Sequence, residues 1–488
     1  MNRVIQLSTT ALLCAAAAVA PVQAELVQPA TASTAAAPID AKAEKEAAKA
    51  RKAAEAAERK RLAALRRQYG EGPYPDEIAA YLAEKPEPLK PLYKTLFTDG
   101  ERNAVLNFQR LGLAAMDQGY WKDAEAAFDG ALSRIERIYA DNKQAAAARS
   151  VFHNEANKDF KGEPYERAMA YYYRGLLYLR AGDYDNARAS FKSGEYQDTV
   201  SETESYRSDF AVLNYLVGWS YHCQGSSGSA DEAFAAAAAA QPGLARPGAS
   251  DSLLVIAELG SGPVKVRDGT QAQKLVFDTG VDDGLTAAAF DLPNGKTVKT
   301  VEATNVHYQA TTRGGRAIDG ILQGKANFKE TTGTIGNVAM QTSLMQMSNG
   351  QNNSALGMAG VGMMFSLFSG AAKTQADIRG WDSLPNRLTV GTASGVAEPA
   401  AAKVRYLAGT AVQGASAPAA MTGKSGKCSI AWSRSTSSAG ISAAVPGEDA
   451  GVAAAVARKA AVQVKNKAFR GELTGISSIP ALAATGSK

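Results

Sequence analysis

Residues Pro164–Phe191 read PYERAMAYYYRGLLYLRAGDYDNARASF. The stretch predicts two packed helices. Gly175 sits inside the first, where a residue without a side chain lets a partner helix approach. Gly182, just before Asp183-Tyr184, suits a helix end in left-handed geometry. Ala187 and Phe191, four apart, then lie on one face of a second helix and pack it back onto the first. Two other stretches match these positions without gaps. One is Phe108, Gly112, Gly119, Trp121, Ala124, Phe128 and Ala131; the other is Gly218, Tyr221, Gly225, Ala230, Phe234, Ala237 and Pro242.

This pattern resembles the tetratricopeptide repeat, with one departure. Gly112, Gly175 and Gly218 are further apart than the usual period of about 34 residues, so extra helix or loop must lie between units. The resemblance implies a concave face. In consensus register, residues four apart on each first helix face it: Gln109, Leu113 and Asp117, then Tyr172, Leu176 and Arg180, then Tyr215 and Trp219 with His222 three further on. Aromatics beside arginine are enriched where proteins bind partners. Gln109, Asp117, Tyr172, Arg180, Tyr215 and Trp219 are therefore the candidate partner-binding residues. The competing reading is that the inserted helices fill the groove and make them core.

Outward from the repeats the texture changes twice. Toward the N-terminus, Ala41–Gln68 is built from Ala, Lys, Glu and Arg, all strong helix formers, with alanine at most apolar positions. It reads as a solvated helical spacer. Arg59, Lys60, Arg61, Arg66 and Arg67 make residues 59–67 basic, which suits contact with an anionic membrane surface or cell wall; the bland alternative is a solvated charged face. Residues 25–40 read as a disordered lead. At the start of the chain, Arg3, an apolar stretch around Ala11–Cys14 and the small residues of Val22-Gln23-Ala24 form a secretory signal over residues 1–24. Leu13 precedes Cys14 where lipidation wants a small residue, so cleavage before Glu25 without lipid is expected.

Toward the C-terminus, β-branched runs separated by turn residues begin after Pro242. They are Leu253–Ala257, Leu275–Phe277, Thr297–Val301, Asn305–Ala310 and Arg387–Thr392. The expected class is α+β: helical repeats over residues 71–242, then an antiparallel β domain over residues 250–395 with an inserted helix at residues 355–372. That uncharged run, ALGMAGVGMMFSLFSGAA, is close to the shortest that spans a bilayer; burial against the sheet is the preferred reading. Residues 396–488, rich in Ala, Ser and Gly, read as a partly disordered extension with weak strands near Val404–Tyr406 and Ser429–Trp432.

Two later stretches extend the likeness of Pro164–Phe191. LLVIAELGSGPVK (Leu253–Lys265) offers a strand followed by a Gly-x-x-Pro-x-Lys-like turn, and KTQADIRGWDSLP (Lys373–Pro385) offers Ala-Asp-x-Arg-x-Trp-x-x-Leu-Pro. Together, over roughly residues 95–395, the chain resembles an uncharacterised family of bacterial envelope proteins, many of them lipoproteins, with tetratricopeptide-like N-terminal halves. The resemblance implies place and architecture rather than an activity. Asp377, Arg379 and Trp381 of the last motif read as structural: charges that pair elsewhere and an indole that anchors the chain.

Little points to catalysis. Asp278-Thr279-Gly280 after a strand matches an aspartic protease, but that chemistry needs two carboxylates sharing a proton and the sequence holds one copy. Neither a nucleophile elbow nor a phosphate-binding loop is present. His153, His222 and His307 are too scattered for a metal site, and no cofactor is implied. A formal charge of +5 over 488 residues excludes a global nucleic-acid signal. After cleavage Cys223 and Cys428 remain, and whether they pair is open. The expected function is a non-catalytic scaffold of the bacterial envelope, periplasmic or outer-membrane-associated, holding a protein or peptide partner. The rivals are a membrane-inserting assembly subunit using residues 355–372 and a cell-wall or peptide hydrolase.

Overall fold

The computed structural model describes residues 41–70, 72–140, 159–199, 209–268, 274–279, 283–311, 376–395, 399–438 and 440–476. The export signal with Cys14, the lead at 25–40, His153 and the apolar run at 355–372 lie outside the described residues. The protein is α+β, with its helices first and its sheets after them.

The described residues from Leu65 onward form one compact unit, and those before it, 41–64, belong to another. Helix α1 (Ala41–Tyr69) is exposed from Glu44 through Ala64. Two short helices, α2 (Pro75–Leu82) and α3 (Lys90–Asp99), then lead into three helical pairs. These are α4 (Ala104–Asp117) with α5 (Trp121–Ala140), α6 (Pro164–Ala181) with α7 (Tyr184–Thr199), and α8 (Ala211–Gln224) with α9 (Ser227–Ala240). The pairs stack in sequence order, α5 on α6 and α7 on α8.

One packing device recurs. Gly112, Gly175 and Gly218 lie under the rings of Phe128, Phe191 and Phe234, each phenylalanine sixteen positions after its glycine. A Cβ on any of the three would come closer than 3.0 Å to ring carbon. The turn after α6 is equally specified. Gly182 has φ 77° and ψ 14°, and the amides of Gly182 and Asp183 bond the carbonyls of Leu179 and Tyr178. Gly182→Val should therefore cost more than about 1 kcal/mol, because a β-branched residue resists left-handed geometry. Urea denaturation measures this, and an unchanged midpoint would contradict the assigned turn.

The β half has two stacked layers. The five-stranded sheet has the order β10-β11-β1-β7-β6, formed by β1 (Asp251–Leu259), β6 (Val301–Asn305), β7 (Arg387–Ser394), β10 (Met421–Ser425) and β11 (Cys428–Arg434). A four-stranded sheet has the order β5-β4-β8-β9, from β4 (Ala287–Asp291), β5 (Thr297–Lys299), β8 (Lys403–Ala408) and β9 (Ala411–Pro418). Strands β2 (Val264–Asp268) and β3 (Lys274–Asp278) pair as a separate antiparallel ribbon.

Strand β1 explains the layering. Its alternate residues point to opposite faces, and both faces are buried. Leu253, Val255 and Ala257 join Ala288, Phe290 and Val404 in a core between the sheets. Leu254 and Ile256 join Trp432 and the aromatic residues of the helical pairs in the larger core. The five-stranded sheet is thus sandwiched between the helical array and the second sheet.

Three sequence expectations need correction. The β domain is not purely antiparallel, because β1 pairs β11 in parallel, Leu253 with Ser429 through Glu258 with Arg434. Residues 396–488 are not an appendage. Strands β8, β10 and β11 are built into the two sheets, and α12 (Ala460–Ile476), which follows α11 (Ala450–Ala457), sets Phe469 edge-on to Phe108 at 6.1 Å. In β11 the small residues Ser429, Ala431 and Ser433 fit a strand buried on both faces, whereas β9 is exposed along its length. Finally, Asn305–Ala310 is not a strand: Asn305 Oδ1 accepts the Tyr308 amide at 2.8 Å and opens a one-turn helix, α10 (Val306–Thr311).

Candidate functional site

The concave side of the helical array is occupied by the protein's own sheet. Of the six candidate groove residues, Gln109 and Tyr172 are fully buried, Trp219 is 1 % exposed and Tyr215 3 %. Leu113 and Leu176 are buried beside them. Gln109 Nε2 donates to the Glu166 carbonyl at 3.3 Å. Trp219 stacks on His222 at 5.2 Å, and His222 Nε2 lies 2.8 Å from the Asp251 carbonyl at the start of β1. Asp117 accepts from Arg434 Nη1 and from the Ser438 amide, both at 2.8 Å.

The open groove is therefore overturned for Gln109, Asp117, Tyr172, Tyr215 and Trp219. Among the described residues, the filler is the five-stranded sheet. The helix-facing side of β1 carries Leu254 and Ile256, which must be removed from water, and the array supplies the apolar surface that covers them. A disulfide between Cys223, at the end of α8, and Cys428, at the start of β11, spans 205 residues of sequence and ties the two halves together. Arg180, like Asp117, is of intermediate exposure: its guanidinium lies 4.2 Å above the Trp121 ring, while its backbone and Cγ pack closely on Gly423 of β10.

The three stretches singled out from the sequence converge at one buried cluster. Glu166, from the first, accepts Lys265 Nζ, from the second, at 2.6 Å. Its other oxygen accepts the Trp381 amide, from the third, at 2.8 Å. Lys265 Nζ also donates to the Arg379 carbonyl at 3.0 Å. Trp381 is 2 % exposed and packs against Phe128 and Tyr173. Asp377 and Arg379 were expected to pair elsewhere; they pair chiefly with each other, through Arg379 Nε at 2.9 Å and Nη2 at 2.6 Å. Burial alone would raise the Asp377 carboxyl, but the Arg379 charge and hydrogen bonds outweigh it and hold the group below the ordinary range. Close packing seals the cluster: Gly447 presses against the Ile378 carbonyl, where φ 71° and the lack of space both require glycine.

A second cluster lies on the same face of the sheet. Glu258, fully buried on β1, accepts from Trp432 Nε1 and Tyr173 Oη at 2.8 Å and from Arg434 Nε at 3.0 Å. Burial raises its carboxyl, against the opposing pull of Arg434 and the two neutral donors. Arg434 bridges Glu258 on the sheet to Asp117 on α4. The sequence held a signal for this residue: Glu258 is the one charge after five apolar residues in Leu253–Leu259. Arg434 had none, because its neighbours read as tail.

A chain of hydrogen bonds leads from the first cluster to a groove. Arg379 Nη1 donates to Asn103, whose amide donates to Glu448 and Asp99. Asp99 and Glu448 line a cavity of about 730 Å³ between α3 and residues 443–450, with Lys90, Lys94, Thr95 and Thr98 on the α3 side. Burial raises the Asp99 carboxyl although Asn107 and Asn103 donate to it. Elsewhere, Asp278 is exposed at the end of β3 and accepts from the Thr279 amide, the geometry of a local turn. Among the described residues no group of His, Cys, Asp and Glu is arranged to hold a metal ion, and no helix is long and apolar enough to cross a membrane.

With the concave face filled, partly exposed aromatic residues at the helix corners, Trp121, Tyr178 and Tyr221, are left beside arginines. Arg174 lies 3.8 Å over Tyr178 of its own helix, while Arg180 over Trp121 and Arg188, 4.4 Å over Tyr221, each join one pair to the next. No protein-family model matches the chain, and neither a curated protein nor a solved structure is detectably similar to it.

Proposed function

We propose that the protein is a non-catalytic scaffold of the bacterial cell envelope, whose tetratricopeptide-like helices hold a protein or peptide partner at their corners rather than in their concave groove. The observation that carries this reading is the partly exposed row of Trp121, Tyr178 and Tyr221 with Arg180 and Arg188. Arginine and large aromatics are the residues in which binding hot spots are enriched. The clusters around Glu166 and Glu258 fit a structural role, since their polar groups bind one another in closed packing. Export is supported by the Cys223–Cys428 disulfide, which belongs to an oxidising compartment.

Affinity capture from envelope extracts, with purified full-length protein as bait, tests the reading. Arg180→Ala should lose the captured partner by about 2 kcal/mol or more if the position is a hot spot. Because Arg180 is only partly exposed and packs on Gly423 of β10, the stability of the variant is measured beside its binding, and the loss of capture should exceed what the unfolded fraction accounts for. A captured set identical for native protein and Arg180→Ala would refute the corner surface. Thiol labelling in intact cells tests export: Cys223 and Cys428 should react only after reduction.

A further inference from the structure

Helix α1 carries ten Lys and Arg against four Glu, an excess larger than the formal +5 of the whole chain. The rest of the molecule is thus slightly negative, and the positive charge is concentrated in this one element. Nor is it spread evenly round the helix. At about 100° per residue, Lys42, Lys45, Lys49, Lys52, Arg59 and Lys60 fall within one third of the circumference, and the periodicity continues through Arg66 and Arg67. That arc otherwise holds only alanine; all four glutamates lie outside it. So does Arg61, which pairs with Glu58 at 3.3 Å. Leu62, Leu65 and Tyr69, the large apolar residues of α1, lie on the opposite side.

The alternating three- and four-residue spacing is that of a coiled-coil seam, but its positions hold Lys, Arg and Ala where a seam needs Leu, Ile or Val. A second copy of this helix cannot pack there face to face without bringing like charges together. What the face does fit is a plane of negative charge. A straight helix of 29 residues is about 44 Å long, and a flat anionic surface is met by cations on one side only. A flexible polyanion imposes no such one-sidedness. The arc has no bulky apolar side chain to insert among acyl chains, so contact stays at the head groups.

We propose that the Lys42–Lys60 face of α1 is a docking surface for anionic phospholipid bilayers, which lays the helix along the membrane plane. This is independent of the corner surface and of any protein partner. The contact is electrostatic, so it weakens with salt, and each cation at the surface contributes a roughly fivefold gain in affinity.

The test is sedimentation of the full-length protein with vesicles of phosphatidylglycerol and phosphatidylethanolamine, against vesicles of phosphatidylcholine alone. Two variants remove the same charge from different faces: Lys49→Gln/Lys52→Gln on the stripe and Arg51→Gln/Arg61→Gln off it. Glutamine preserves helix propensity, and circular dichroism checks that α1 is retained. Native protein should sediment with the anionic vesicles only. The stripe variant should bind on the order of 25-fold more weakly, the off-stripe variant no more than about threefold. Equal weakening of both variants would mean that net charge acts without a face and would overturn the proposal. So would a lack of binding at about 0.15 M salt, or equally tight binding to soluble polyglutamate with the same stripe dependence, which would point to a polymer instead of a bilayer.

Discussion

Arg434→Met should destabilise the protein by about 3–5 kcal/mol, the range for removing one partner of a buried ion pair. The methionine fills a similar volume, so the loss is electrostatic rather than a cavity. Among the described residues Arg434 is the only cation bonded to Glu258, and it also pairs with Asp117; without it two carboxylates remain between α4 and β1, Glu258 fully buried. The effect should depend on pH with a defined sign. Burial already raises the Glu258 carboxyl above the ordinary value of 4.5, and Arg434 is the main influence opposing that rise. In the variant the rise is larger. The stability tied to a raised carboxyl is fully present below its unfolded pKa, about 4.3, and is lost as pH rises through the folded value. The gap in Tm between native and variant should therefore be wider at pH 8 than at pH 5. Adding Glu258→Gln to Arg434→Met should recover part of the loss, because an uncharged amide replaces the stranded carboxylate. A gap that narrows with rising pH would contradict the arrangement.

Local rules made the helical pairs legible. Gly182 was readable because a left-handed turn admits few residues, and the pairing of Gly175 with Phe191 because a missing side chain and a ring at fixed spacing describe one contact. Strand β1 was readable from its apolar run. What escaped was how the pieces close on each other. The parallel pairing of β1 with β11 joins residues more than 170 positions apart, and no local pattern in CSIAWSR names its neighbour. The same gap hid the occupant of the groove. Register correctly placed Tyr172, Tyr215 and Trp219 on one side of the array, but exposure depends on what covers that side, and the cover comes from strands in a stretch that reads as tail.

The three stretches that carried the family resemblance show the other side of this. Each looked like a separate feature, a repeat, a strand and turn, and a Trp-containing loop. Glu166, Lys265 and the Arg379–Trp381 backbone are one hydrogen-bonded unit. Breaking it would strand charge in a dry interior, which is strongly unfavourable. The unit therefore fixes one arrangement of helical array against sheet. A site that binds a small molecule would leave some of these groups unpaired and open to it; here they are consumed by one another, which favours a structural role.

Trp219→Ala is the sharpest test of whether the groove is closed. Trp219 lies on α8, 1 % exposed, stacked on His222 one turn before the disulfide at Cys223. Removing the indole leaves a cavity in the larger core, where neighbours are held by the disulfide and by the His222 contact with Asp251 and cannot collapse freely. The expected loss is about 3–5 kcal/mol in urea denaturation, as for other buried Trp or Phe truncations. Partner capture by the fraction that remains folded should be unchanged, because the indole faces the sheet and not solvent. Arg180→Ala should show the reverse balance: a smaller loss of stability than Trp219→Ala, since its guanidinium is only partly buried over Trp121, and lost capture by the molecules that remain folded. If Trp219→Ala were instead to cost less than about 1 kcal/mol, a surface-like effect, while abolishing capture, the concave face would be open in solution and the sheet would have to swing away from it. The disulfide then gives a further check, since such an opening would require reduction: capture by the native protein should be indifferent to reductant if the corners bind, and should rise with reductant if the groove does.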